Sequence, residues 1–255
     1  MVELKTPGEI DAMAAAGAVV ARALAATRVA AEVGVCLVEL DQVARDVLRE
    51  AGATSPFLGY QPSFARTPYP GVVCLSVNDA VLHGIPTRYE LQDGDLLSVD
   101  CGATLEGWTG DAAISFCVGH AGANDARLID CTKAALQAAM EAAQPGARIG
   151  DISAAIGNAA REGGYGLHTD FGGHGVGHTM HESPHIPNDG RPGRGMRLRS
   201  GLTIAIEPWF LAGGQDDYRI DDDGWTLRSA DGSRGAHFEH TIAITDAGPR
   251  ILTVL

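Results

Sequence analysis

Residues 181–185 read His-Glu-Ser-Pro-His. This is the H-E-x-x-H pattern by which two histidines grip a zinc ion while the glutamate between them activates a water. That chemistry needs a helix, because only there do residues four apart share a face. Here Pro184 stands before the second histidine and Pro187 soon after it. Each removes a backbone donor and pushes its predecessor out of helical geometry. Upstream, residues 172–178 read GGHGVGH, too rich in glycine to start a stable helix. His181 stays a candidate for function, but not as a helical i,i+4 ligand.

A second set of residues offers metal chemistry of another kind. Asp100 lies in VDCGA and Asp111 in GDAAI, with a hairpin turn expected at residues 105–108 around Gly107. Adjacent antiparallel strands bring the two carboxylates together, where they repel, and burial makes the repulsion worse. Either they reach a solvated strand end or a cation lies between them. Glu207 closes the apolar run LTIAI ahead of Pro208, and Glu239 opens the run that continues HTIAIT. His174 sits in GGHGVG, where glycines let backbone come close to a site. Four carboxylates and one imidazole are too acidic for a structural zinc site. They suit two hard-to-borderline divalent ions such as Mn, Fe or Co. Metals paired at roughly 3.5–4 Å by shared carboxylates are a known hydrolytic arrangement.

The elements that must carry these residues are legible in outline. Thr6-Pro7-Gly8-Glu9 reads as a helix start, with Thr6 the cap, Pro7 the first helical position and Glu9 the return partner of a capping box. That helix is expected over residues 7–31. A second follows, with Leu40, Val43, Ala44, Val47, Leu48 and Ala51 at helical spacing and Gly52 as its stop. Strands are expected at 72–77, 96–103 and 112–118, helices at 124–143 and 149–162, and further strands near 202–207 and 239–245. The order is helix, helix, strands, twice over.

A shift of 112 residues lays GVCLVEL from Gly34 over GARIGDI from Gly146, pairing Glu39 with Asp151 and Leu40 with Ile152. Arg49, Glu50 and Gly52 fall over Arg161, Glu162 and Gly164 at the same shift. Two similar α+β halves place a site at their seam, where pockets form readily. Residues 119–124 make only a short loop between the halves, so one domain spanning 1–255 is expected.

Bulk properties narrow the function further. A net charge of −13 argues against a nucleic-acid or anionic-membrane surface. The local run of Arg191, Arg194, Arg197 and Arg199 reads as a solvated loop. Five cysteines, an odd number without a C-x-x-C pair, suggest reduced thiols and a cytoplasmic location. The N-terminus lacks an apolar signal core, and no stretch of about 18 apolar residues is evident to span a membrane.

Taken together, VDCGA…GDAA, GHGVGHTMHESP, IEP and FEHTIAIT resemble the type I methionine aminopeptidases, of the pita-bread (creatinase/aminopeptidase) metallopeptidase fold. NDAVLHGIP at 78–86 resembles the family's segment bearing its first catalytic histidine, and LKTPGEIDAMAAAG resembles its first helix. The similarity runs over nearly the whole chain. It implies an α+β fold of two pseudo-symmetric helix-helix-strand halves around a central antiparallel sheet.

The resemblance further implies two divalent metal ions on Asp100, Asp111, His174, Glu207 and Glu239, with Asp111 and Glu239 bridging. It makes His83 and His181 non-ligand histidines that hold the substrate and steady the transition state, and Glu207 the proton acceptor. Glu182 and His185 are left without a role. The implied activity is removal of the N-terminal methionine from nascent proteins with a small second residue, by metal-activated water attack on the first peptide bond. A monomer is expected.

Tyr60, Tyr69, Cys74, Met180 and Trp225 fall where the family lines its methionine pocket, and aromatic rings and sulfur suit a thioether. Two departures touch that pocket. Residues 61–68, QPSFARTP, are longer than the family's connection between its pocket tyrosines, and Met180 stands where an aromatic residue is usual. Two competing readings remain open: a pita-bread aminopeptidase of different N-terminal specificity, and a non-catalytic binding protein of the same fold.

Overall fold

The computed structural model describes residues 2–63 and 65–255. The first half runs α1 (Pro7–Ala30), α2 (Leu37–Glu50), β1 (Val73–Val77), β2 (Ala80–Leu82), β3 (Leu96–Leu105) and β4 (Trp108–Cys117). The second begins with α3 (Ala123–Ala142) and α4 (Ile149–Gly163), followed by β5 (Gly173–Gly175), β6 (Glu182–Ile186), β7 (Thr203–Ile206) and β8 (Trp209–Leu211). It closes with β9 (Tyr218–Ile220), β10 (Leu227–Ser229), β11 (Gly235–His237), β12 (Glu239–Thr245) and β13 (Gly248–Ile251).

Local chemistry starts the helices as expected. The Thr6 N–H donates to Glu9 Oε2 at 2.7 Å, the Glu9 N–H donates to Thr6 Oγ1 at 3.4 Å, and Pro7 holds the first helical position of α1. The repeat is structural as well as sequential. Gly34 and Gly146 both take left-handed backbone, at φ 90° and 91°, where a side chain would be strained. Glu39 Oε2 then accepts from the Cys36 N–H at 2.8 Å, and Asp151 Oδ2 from the Arg148 N–H at 2.7 Å. Each acid satisfies a donor left open at the start of its helix.

An eight-stranded sheet runs β1-β3-β4-β12-β7-β5-β6, with β13 on the flank of β12, and its pairings are antiparallel. The halves meet where β4 pairs with β12. Helices cover one face. Val20, Leu24 and Leu40 pack with Leu97, Val99 and Cys101 in the first half. Leu136, Ile152 and Ile156 pack with Ile204 and Ile242 in the second. Alternation along a strand sends the intervening residues to the other face, and the candidate site lies there.

The expectation that no segment is apolar and long enough to cross a bilayer needs correction. By length and composition α1, at 24 residues, passes that test. Its packing shows a core helix instead. Met13, Ala16, Val20 and Ala23 are buried in the fold, and Gly17 meets the sheet so closely that an added Cβ would lie 2.1 Å from the Leu252 carbonyl oxygen.

Candidate metal centre and its pocket

Register brings five chain-distant residues to one face. Asp100 on β3 and Glu239 on β12 both stand opposite Ala113 of β4, from either side. Asp111 lies two residues before Ala113, so it shares that face. On the other side of the seam, His174 and Thr241 both stand opposite Ala205 of β7, and Glu207 follows two residues later. The positions between the candidates are Ala113, Ala205 and Gly102 (the partner of Asp111). Small residues there leave room among the acids.

The acids are buried without cationic partners. Asp111 and Glu239 are each 3% exposed. Asp100 Oδ1, Asp111 Oδ1 and Glu239 Oε1 are buried with no hydrogen-bond partner. Among the described residues their charged neighbours are one another and histidines, not Lys or Arg. Burial pushes the Asp100 and Glu239 carboxyls well above the usual range, and the charges of the neighbouring acids push them further. Burial raises Asp111 to about 7. Burial and the charge of Asp111 raise Glu207 to about 8.

His174 completes the set as a neutral ring. Burial and the neighbouring His181 lower it to about 3. Its Nδ1 lies 2.9 Å from the Gly175 carbonyl oxygen. A carbonyl only accepts, so Nδ1 carries the proton and Nε2 keeps its lone pair. Nε2 lies 3.6 Å from Glu207 Oε1, and ligand atoms of Asp111, His174 and Glu239 fall within 4.8 Å of one another. Orphaned carboxylate oxygens around a fixed imidazole lone pair fit divalent cations, whose charge removes the repulsion the bare acids suffer.

A cavity of about 520 Å³ opens over this face, and all the candidate ligands, catalytic histidines and pocket residues line it. One wall is apolar. Tyr69, Cys74, Met180 and Trp225 pack into one cluster with Phe57 and Ala65, and Tyr60 borders it. Tyr69 and Trp225 meet edge-on at 5.1 Å. Two residues from the 61–68 stretch meet this wall: Ala65 joins the cluster and the Thr67 carbonyl accepts from Trp225 Nε1 at 3.0 Å. Phe64 of that segment lies outside the described residues.

The two non-ligand histidines stand at different depths. His83 is half-buried, with left-handed backbone at φ 56° and its Nδ1 buried and unpartnered. Burial lowers it to about 4, and its ring meets Phe171 and Trp225 edge-on. His181 stands at the mouth, its outer edge open to solvent, while the protein on its inner side lowers its pKa. Its Nδ1 lies 3.1 Å from Tyr60 Oη.

HESPH is not helical, as the prolines require, and it runs into a strand, β6, that is not among those expected from the sequence. Glu182 and His185, left without a role, both border the cavity. Glu182 also holds the turn that carries His181. Its Oε2 accepts from Lys5 Nζ at 3.2 Å and its Oε1 from the Thr179 N–H at 3.2 Å. Phe57 and Phe171 line the cavity without having been foreseen. So was His237 missed, whose Nε2 lies 3.8 Å from Glu207 Oε2 and 3.9 Å from Glu239 Oε2. Its sequence signal was its place two residues before Glu239.

Two similar halves, a seam of buried acids and a neutral imidazole beneath an apolar pocket define a metallopeptidase of the pita-bread class. Residues 11–246 match the model of metallopeptidase family M24. The chain is 48% identical to methionine aminopeptidase 1 of Mycobacterium tuberculosis, the match taking in 100% of this chain and 96% of that one. It is 40% identical to the methionine aminopeptidase of Aquifex aeolicus, over 100% of this chain and 99% of that one. The crystal structure of methionine aminopeptidase from Thermotoga maritima superposes with a TM-score of 0.95 at 39% identity, over 100% of both chains. Prolidase from Pyrococcus furiosus, at 22% identity and a TM-score of 0.76 over 99% of this chain and 65% of that one, shares the fold alone. The chain belongs to metallopeptidase family M24, among its type I methionine aminopeptidases, and is a metal-dependent hydrolase.

Proposed function

We propose that this enzyme removes the N-terminal methionine from nascent proteins whose second residue is small. Asp100, Asp111, His174, Glu207 and Glu239 would hold two divalent ions, of Mn, Fe or Co, with Asp111 and Glu239 the carboxylates available to both. One observation carries the reading: orphaned, unneutralised acid oxygens lie at the foot of a cavity walled by Tyr69, Cys74, Met180 and Trp225. Rings and sulfur favour a thioether side chain. Such ions supply Lewis acidity, making a water nucleophilic near neutral pH and polarising a peptide carbonyl.

The chain's own groups do the rest. Glu207 takes the proton of the attacking water and returns it to the leaving amine. Tyr60, a phenol whose pKa burial raises further above neutral pH, donates to His181 Nδ1. That fixes the proton of His181 on Nε2, where it donates to the developing oxyanion. His83 offers the unpartnered Nδ1 to the substrate. The catalytic unit spans residues 1–255 and works as a monomer in the cytoplasm. With a net charge of −13 its partner is a peptide N-terminus, not nucleic acid or an anionic membrane.

A second reading, an aminopeptidase of altered N-terminal specificity, draws on Met180 and on the 61–68 segment, which both enter the pocket wall. The test strips the metal, adds back Mn, Fe or Co in turn, and measures free methionine released from a peptide beginning Met-Ala. Metal-dependent release, absent when the second residue is bulky, is expected. Release of other N-terminal residues in preference to methionine supports the second reading. Folded, metal-loaded protein that releases nothing overturns both.

A further inference from the structure

His237 has no part in that chemistry, yet it is placed for one. It is 2% exposed, and its Nε2 is buried with no hydrogen-bond partner. The separations of 3.8 Å to Glu207 Oε2 and 3.9 Å to Glu239 Oε2 are too long for hydrogen bonds. They do suit ligand atoms on either side of an ion. Donors that each stand about 2.0–2.2 Å from one metal are themselves about 3–4 Å apart. The ligand atoms of Glu207, His237 and Glu239 all lie within 4.8 Å of one another. The group containing His174 is a different one and shares Glu239 with it.

The backbone that presents His237 is fixed from behind. Its N–H donates to Ser115 Oγ at 2.8 Å, and that hydroxyl donates back to the His237 carbonyl at 2.7 Å. Ser98 Oγ lies 2.7 Å from Ser115 Oγ and steadies it in turn. On the other side His237 pairs with Trp209 between β11 and β8. A backbone held this firmly, with the unpartnered Nε2 turned to two carboxylates, places a nitrogen donor beside them before any ion arrives.

We propose that His237 is itself a metal ligand, closing with Glu207 and Glu239 a divalent-cation position that carries its own imidazole. The proposal rests on the reading of the site as a metal centre. Its consequence is chemical. A second nitrogen donor shifts the centre away from Mg and Mn, which prefer oxygen, towards Fe, Co and Zn.

The test loads metal-free protein with Co(II), counts imidazole ligands by X-ray absorption, and measures Co(II) affinity by equilibrium dialysis. Two imidazoles per loaded centre are expected in the wild type and one in His237→Gln, whose Co(II) affinity falls about tenfold or more. One imidazole in the wild type sinks the proposal and leaves the metal centre standing. Two imidazoles in both proteins also sink it, because the second nitrogen then comes from elsewhere. A wild type that binds no Co(II), Mn(II) or Fe(II) overturns the metal centre and this proposal with it. If His237→Gln does not fold, His237→Asn takes its place, and a wild-type count of one sinks the proposal without either variant.

Discussion

Asp111 is buried, unneutralised and within ligand distance of both His174 and Glu239. In the proposed centre Asp111 is shared, so its removal takes a donor from both ions at once. Asp111→Ala is therefore expected to lose metal and to lose activity by more than about a hundredfold, read by metal analysis beside methionine release. A metal-replete, fully active variant refutes the ligand assignment. His181 is a different case. Its Nδ1 is taken by Tyr60 and it stands at the mouth, outside the donor groups. His181→Ala should keep its metal and lose turnover by about 10²–10⁴, the range for a positioned proton donor. Loss of metal in that variant makes His181 a ligand and reopens the assignment.

At the scale of elements, the site depends on how closely α1 approaches the sheet. Gly17 lies against Gly110 of β4, where an added Cβ would stand 3.0 Å from Gly17 Cα. Gly110 immediately precedes Asp111, so the helix supports the strand that carries this acid. A methyl group on Gly17 meets the Leu252 carbonyl at 2.1 Å, and backbone cannot step aside as a side chain can. Gly17→Ala is expected to cost about 3 kcal/mol, as overpacking of a well-filled core does. Urea unfolding measures it. An unchanged midpoint means that α1 rides on the sheet with slack.

The whole molecule must fold around acids that repel, and this gives its stability a direction with pH. Free carboxyls titrate near 4, but in the folded, metal-free protein Asp111 is raised to about 7 and Glu207 to about 8. Across that window the folded state holds more protons than the unfolded, so stability falls as pH rises. The buried histidines act the other way. His174 and His237 are lowered to about 3 and His83 to about 4, so they add stability as pH rises towards about 6.5, the unfolded value, and nothing beyond it. Above pH 6.5 the acids alone decide. The unfolding free energy from urea titrations in chelator should drop between about pH 6.5 and 8.5, by about 1 kcal/mol per pH unit or more, and added Mn(II) should flatten the decline. A level profile in chelator shows that the acids are not held protonated.

Much of this protein is written locally. Thr6, Pro7 and Glu9 cap α1 by contacts three residues apart. Gly34 and Gly146, with Glu39 and Asp151 behind them, repeat one turn-and-cap device in both halves. The types and strand contexts of Asp100, Asp111, His174, Glu207 and Glu239 suggested a divalent centre before any fold was known, and Pro184 ruled out a helix at HESPH. What the sequence alone left open depends on register and packing. Whether Asp100, Asp111 and Glu239 share a face follows only from both outer acids pairing with Ala113, since a slip of one residue would turn any of them to the helix side. No membrane span is evident on reading the sequence, yet α1 passes for one by length and composition, and its buried contacts make it a core helix. His237 sits in a strand of three residues whose neighbours are β8 and Ser115. Nothing in GAHFEH says that its ring meets Glu207 from across the sheet. Residues near in sequence set the turns and caps, whereas a site built from strands far apart in the chain exists only once those strands are paired.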